Sequence, residues 1–255
     1  MRLLAFAAIA PGLRAVDLGG TGRLRRLAVR QLDLEPWTGT TGDEETALLV
    51  LSGTHDFAAG GKTWPQRGVR AAPTAGRPLA LFLPRRTPFQ VGGGRGEVLL
   101  AATQDDPPAP PSDPREALTR KPLLTLAGSG KAFDPRAGAW VPEEQFAESP
   151  EFVLPRHVRA LDESGVRVER IFGSDYKARV LGLDECVLQA GQRWRLGSYD
   201  QDPELVAAIY VRAEDAVDVP GAGRLFGEGV VLCERAQGVE VIAAGGPAYL
   251  AIVYA

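Results

Sequence analysis

The stretch TGDEETALLVLSGTHDFAAGGKTW, residues 41–64, decides the fold. Glu45 to Ser52 is a compact apolar run of strand length, and Gly53 is expected to close it. THDF then opens a new strand, Gly60-Gly61 supplies a two-residue turn, and Lys62 starts the return, which is the signature of a β-hairpin. No residue spacing of 3.6 competes with this pattern, so the segment belongs to a sheet rather than a helix.

The same punctuation continues on both sides. Residues 22–35, GRLRRLAVRQLDLE, give partial alternation through Leu24, Leu27, Val29, Leu32 and Leu34. Leu79 to Leu83 is an apolar run stopped by Pro84, Phe89 to Val91 begins another strand, and GEVLLAAT completes the set. Short strands with Gly or Pro at nearly every junction predict an antiparallel sandwich or small barrel. Residues 105–122, DDPPAPPSDPREALTRKP, hold six prolines and four acids and no apolar period, so they read as a semi-rigid connector. PREALT, Pro114 to Thr119, is the one stretch with helical character. LLTLAG fits a strand, and the segment from Ala132 to Phe152 reads as a packed loop.

Beyond His157 the strand signals return: VRVERIFG, then ARVLGLDECVL with apolar residues on both faces, then RWRLGSYDQDPELVAAIYVR, GEGVVLCER, GVEVIAAGG and AYLAIVYA. The order strand, turn, apolar strand, hairpin, strand thus occurs twice, an internal duplication at the scale of a domain. The expected architecture is all-β: one barrel over residues 1–104, the connector 105–122, and a second barrel over 123–255.

The composition agrees with a globular chain and narrows the partners. Of 255 residues, 45% are hydrophobic, enough for an ordinary core. The net charge of -3 is wrong for a general nucleic-acid binder, and the small clusters Arg23, Arg25, Arg26 and Arg85, Arg86 read as solvated faces. Cys186 and Cys233 lie in apolar runs and are expected to be buried free thiols. MRLLAFAAIAPG reads as a first strand rather than a signal peptide, because its apolar run is short. No apolar run nears the ~20 residues that cross a membrane. A cytoplasmic protein is the expectation.

The chain resembles the bicupin 5-deoxy-glucuronate isomerases of inositol catabolism and the related 5-keto-4-deoxyuronate isomerases. Thr41–Trp64 is similar to their acidic turn, apolar strand, Leu-Ser-Gly and Gly-Gly hairpin. RPLALFLPRRTPFQV, from Arg77, resembles the strand and Pro turn that follow. VERIFGSDYKARVLGLDECVLQAGQRW, from Val168, resembles the strand before the family's metal loop, and VEVIAAGGPAYLAIVY, from Val239, its closing pair. The resemblance implies two antiparallel barrels of the cupin or jelly-roll type. It also implies a divalent metal such as zinc or manganese, held in the second barrel by a His-x-His pair, a Glu and a later His. That metal would polarise a sugar carbonyl during aldose–ketose isomerisation. Laid on this chain, those ligands fall near Ser198 and Asp200, near Ala207 or Ala208, and near Glu240. The chain has two histidines, His55 and His157, and none follows His157.

The expectation is therefore a divergent member that lacks the metal-dependent activity, carries no cofactor or metal, and accepts a small sugar acid. Arg193, Trp194, Arg195, Tyr199, Asp200 and Glu240 are the candidate ligand contacts, since Arg forks fit carboxylates and aromatic faces stack on sugar rings. Two alternatives stay open. One is an active uronate-type isomerase with a displaced or all-oxygen metal site built on Asp200, Asp202 and Glu240. The other is an assembly module whose barrel is filled by side chains such as Trp194, Tyr199 and Leu205. The resemblance also implies a homodimer paired through sheet edges. The remaining motifs read as structural. His55 and Asp56 are adjacent on a strand and so face opposite ways. Gly128-Ser129-Gly130-Lys131 lacks the spacing and the following Ser or Thr of a phosphate loop.

Overall fold

The structure, a computed structural model, describes residues 1–33, 35–104, 125–126, 131–134, 139–142, 150–153, 157–161, 166–172, 181–196, 206–234 and 238–255. The Pro-rich connector, PREALT and Gly128–Gly130 lie outside them. All of the described regular structure is β. The first half carries β1 (Arg2–Leu4), β2 (Ala7–Ala10), β3 (Leu13–Val16), β4 (Leu24–Leu32), β5 (Trp37–Thr40), β6 (Glu44–Ala59), β7 (Lys62–Arg70), β8 (Ala80–Leu83), β9 (Pro88–Gly92) and β10 (Gly96–Gln104). Between the halves come β11 (Thr125–Leu126), β12 (Lys131–Asp134), β13 (Ala139–Pro142) and β14 (Glu151–Val153). The second half carries β15 (His157–Leu161), β16 (Val166–Phe172), β17 (Gly182–Leu188), β18 (Arg193–Leu196), β19 (Ala207–Val219), β20 (Gly223–Cys233), β21 (Val239–Ala243) and β22 (Ala248–Tyr254).

The duplication expected from the sequence is present in the strand order. One sheet runs β14-β8-β6-β10-β4-β3-β2, and the other β1-β20-β19-β22-β17-β16-β15. Side branches match as well: β9 pairs β5 and β6, as β21 pairs β18 and β19. The end strands are exchanged. β1, at the start of the chain, joins β20 in the second sheet, while β14 joins β8 in the first.

Each central strand is buried on both faces, which is why these strands read as continuous apolar runs rather than alternating ones. On β6, Ala47, Leu49 and Leu51 pack between the two sheets, while Leu48 and Val50 fill the first barrel. On β19, Ala208 and Tyr210 face the other sheet, while Ala207, Ile209 and Val211 fill the second barrel. The same parity runs through β10 and β22. Three cores result, one inside each barrel and one between them.

Three local readings need correction. Gly53 does not end the strand: β6 runs on to Ala59, and Gly53 at φ 88° marks an irregularity where the Cβ of any other residue would lie 1.9 Å from the Arg95 carbonyl oxygen. The N-terminal run forms two strands in different sheets, because β1 pairs with the remote β20 while β2 pairs with the adjacent β3. The expected packed loop after Ala132 contains β12 and β13, which with β11 make a small three-stranded sheet.

Polar groups also dock the halves. Arg14 of β3 and Glu97 of β10 meet Tyr210, Arg212 and Glu228 of the second half. Arg14 Nε donates to Glu228 Oε2 at 2.6 Å, and its Nη2 to Glu97 at 2.7 Å. Arg212 donates to Glu97 at 2.6 Å and to Glu228 at 2.9 Å, and Tyr210 Oη donates to Glu228 at 2.6 Å. Two cations and two carboxylates balance, so little net charge is buried. These contacts hold Glu228 at about 2, well below the usual carboxylate value, against the opposing effect of its burial.

Candidate functional site

The second barrel is the expected seat of chemistry. Its described inner wall is formed by Val166, Val168, Cys186, Leu188, Trp194, Ile209, Val211 and their neighbours on β20 to β22. One charged pair interrupts it. Arg170 of β16 and Asp184 of β17 are register partners, and Arg170 Nε donates to Asp184 Oδ1 at 3.2 Å. Val168 and Cys186, two residues away on the same strands, line the interior, so alternation places Arg170 and Asp184 there too. The Arg170 guanidinium also lies 5.8 Å over the Tyr254 ring, and Gly182 gives that ring room: a Cβ there would come within 1.9 Å of it. Arg170 is 5% and Asp184 1% exposed. At this end of the barrel the segments leading into β17 and β19 lie outside the described residues.

The candidate contacts read from the sequence separate into two groups. Alternation along β18 turns Trp194 inward, where it is 1% exposed, and turns Arg193 and Arg195 outward. Glu240 lies opposite Arg195 on β21 and accepts its Nε at 3.0 Å, with Arg193 Nη1 3.7 Å away. The arginines and Glu240 thus form an outer-face cluster, and Trp194 does not share a wall with them. Tyr199, Asp200, Asp202 and Leu205 lie outside the described residues. Of the positions where the resemblance expects metal ligands, Ser198 also lies outside the described residues, Ala207 faces the barrel core and Ala208 faces the other sheet. Glu240 points away from that core between the inward-facing Val239 and Val241. Among the described residues, no group of three His, Cys, Asp or Glu side chains is placed to hold a metal ion.

The cysteines are buried and free, as expected. They sit on β17 and β20, three steps apart in the sheet order, roughly 14 Å at about 4.8 Å per step, too far for a disulfide. His55 is fully buried at the inner face of β6 while Asp56 is exposed, so the two face opposite ways. The His55 Nε2–H donates to the Ser52 carbonyl at 2.9 Å, and burial pushes the imidazole below its usual pKa. A cleft of about 280 Å³ near this hairpin is lined by Asp33, Glu35, Gly92, Gly93, Gly94 and Arg95. Packing accounts for two of its glycines: a Cβ at Gly93 would strike Asp56, and one at Gly94 the Thr54 carbonyl.

Arg170 in VRVERIFG and Asp184 in ARVLGLDECVL were missed because both stretches were read as strands from their apolar residues. The signal was available: two consecutive acids inside an otherwise apolar strand must each find a partner.

Matches to solved structures fit this architecture end to end. The fold is that of the bicupins. An IolB-like protein from Salmonella typhimurium superposes with a TM-score of 0.69 at 15% identity, over 100% of this chain and 93% of that one. Oxalate decarboxylase from Bacillus subtilis, a protein with Mn(II) centres, gives 0.57 at 11% identity over 98% and 74%. The bacterial pirin YhhW from Escherichia coli, solved with nickel(II), gives 0.53 at 12% identity over 98% and 94%. At these identities the likeness concerns the fold alone. No protein-family model matches the chain, and no curated protein sequence matches it. Among the described residues no helix is long and apolar enough to cross a membrane.

Proposed function

We propose that this chain is a divergent IolB-like bicupin that binds a small sugar acid in its second barrel without metal-dependent isomerisation. The observation that carries the reading is the inner wall of that barrel. Ala207 or Ala208 stands near where the resemblance expects a ligating Glu, Glu240 faces outward to Arg195, and the buried charged groups on that wall among the described residues are Arg170 and Asp184. A fixed guanidinium beside an aromatic ring suits a carboxylate on a sugar ring better than a cation.

Two measurements test this. Calorimetric titration with glucuronate and with glucose should show binding of the acid alone, lost in Arg170→Gln. Elemental mass spectrometry after exposure to Mn²⁺, Zn²⁺ and Mg²⁺ should find no stoichiometric metal. Tightly held metal together with aldose–ketose turnover would establish the active-isomerase alternative instead. The filling of the barrel by Trp194 and aliphatic side chains favours a second reading, a purely structural module. Absence of any titration with either sugar would support that one.

A further inference from the structure

Strand β17 carries two consecutive buried acids that point to opposite faces. Asp184 faces into the second barrel and holds Arg170. Glu185 faces the first half, where Arg70 of β7 grips it. Arg70 Nη2 donates to Glu185 Oε1 at 2.8 Å and Nη1 to Oε2 at 3.0 Å, while Tyr249 Oη donates to Oε2 at 2.7 Å. The remaining Arg70 donors go to the carbonyls of Ala75 at 3.0 Å, Val50 at 3.1 Å and Pro73. All five guanidinium N–H groups are thereby used, and a fork with five fixed partners has one orientation.

The backbone that delivers Arg70 is strained. Gln66 has φ 50°, Gly68 φ 108° and Val69 φ 74°. A β-branched residue at positive φ is an outlier that persists only where its surroundings enforce it. Here Val69 is 79% exposed while Arg70 beside it is 3% exposed, so the strained turn throws Val69 outward and Arg70 inward.

We propose that Arg70, with Glu185 and Tyr249, is a positioning device for the barrel site: it fixes β17 from the first half, and through β17 sets Asp184 and Arg170. The inference rests on the second-barrel binding reading for its functional side, but its mechanical side has an independent readout. Cys186 lies two residues from Asp184 on the same inner face, and Cys233 lies on β20 away from the clamp. Labelling of each thiol reports how often its own strand opens.

The variant is Arg70→Met with Glu185→Leu, which removes both charges and keeps apolar volume, so that no lone buried charge remains. Its fold is checked by circular dichroism and thermal melting. Should it fail to fold, Arg70→Lys, which keeps the charge and loses the fork, carries the same comparison. The expected result is labelling of Cys186 roughly tenfold faster with Cys233 unchanged, and glucuronate affinity weakened roughly tenfold. Unchanged Cys186 protection overturns the proposal. So does accelerated Cys186 labelling with unchanged glucuronate affinity, which reduces the clamp to a structural tie. If the unmodified protein binds no glucuronate, the binding reading fails, and the ratio of the two labelling rates still decides whether the clamp fixes β17.

Discussion

Glu228→Gln would remove one charge from the cluster that docks the two halves while leaving the shape of the side chain. Glu228 accepts from Arg14, Arg212 and Tyr210 together. A glutamine amide has one acceptor oxygen, so its NH2 group would face a guanidinium donor at the distance where Arg14 Nε now lies 2.6 Å from Oε2. The magnitude follows from the titration of Glu228, whose value falls from 4.5 to about 2 on folding, with a side chain 23% exposed. At about 1.4 kcal/mol per unit this amounts to roughly 3 kcal/mol, the scale expected when one partner leaves a partly buried cluster.

The sign gives the prediction its edge. A carboxylate whose folded value is depressed contributes stability above its unfolded value near 4.5, and loses it as pH falls through about 2. Urea unfolding at pH 7 should therefore show the variant less stable by roughly 3 kcal/mol, and the gap should shrink progressively below pH 4.5. A gap that is the same at pH 7 and pH 3, or a loss under about 0.5 kcal/mol at pH 7, would refute the electrostatic account of this interface. The neighbouring Glu97, which the same arginines also hold low, should titrate in the same direction and steepen the acid limb of the unmodified protein.

Val69→Gly should stabilise the protein by about 0.5–1 kcal/mol in urea unfolding, because relief of the strain at φ 74° exceeds the chain entropy that glycine adds; a destabilised variant would show that the backbone there is unstrained. Gly53→Ala should cost about 3 kcal/mol or prevent folding, since its Cβ meets the Arg95 carbonyl oxygen at 1.9 Å and φ is 88°; a near-neutral thermal melt would contradict the bulge geometry. Trp194→Ala should cost about 3–5 kcal/mol, because Trp194 is among the largest fully buried side chains; a loss under 1 kcal/mol would place the indole at an open pocket wall instead of in the core.

The parts of the fold that were legible from the chain are those with local causes. Gly60-Gly61 fixes the β6–β7 hairpin, Pro84 stops β8, and the turn near Val219-Pro220-Gly221 separates β19 from β20. What was not legible depends on partners far along the chain. β1 and β2 are seven apolar-rich residues; β2 pairs with the adjacent β3, but nothing local shows that β1 belongs beside β20 in the other sheet. Gly53 looks like a terminator because a glycine in a strand signals either an end or a bulge, and only the approach of Arg95, 42 positions later by numbering, makes it the second. The site was less legible for the same reason. Arg193, Trp194 and Arg195 are adjacent in sequence, yet alternation separates the arginines from the tryptophan, whereas Arg170 and Asp184 meet only through the pairing of β16 with β17.

That contrast bears on how the inner wall of such a barrel can vary while the fold is kept. Strands such as β19 and β22 are buried on both faces, so their stability comes from Ala208, Tyr210, Tyr249 and Ala251 between the sheets as much as from the barrel interior. Ala207, Val239 and Val241 belong to the barrel interior, so a change at one of them leaves the docking face untouched. Two sets of ion pairs join the halves: Arg70 with Glu185, to which Tyr249 also donates, and Arg14 and Arg212 with Glu97 and Glu228. Among the described residues, then, buried charge serves docking on one face of β17 and a single Arg170–Asp184 pair on the other. The two roles meet in adjacent residues, so a change at Glu185 that leaves the fold intact should be felt at Asp184 before it is felt anywhere else in the barrel.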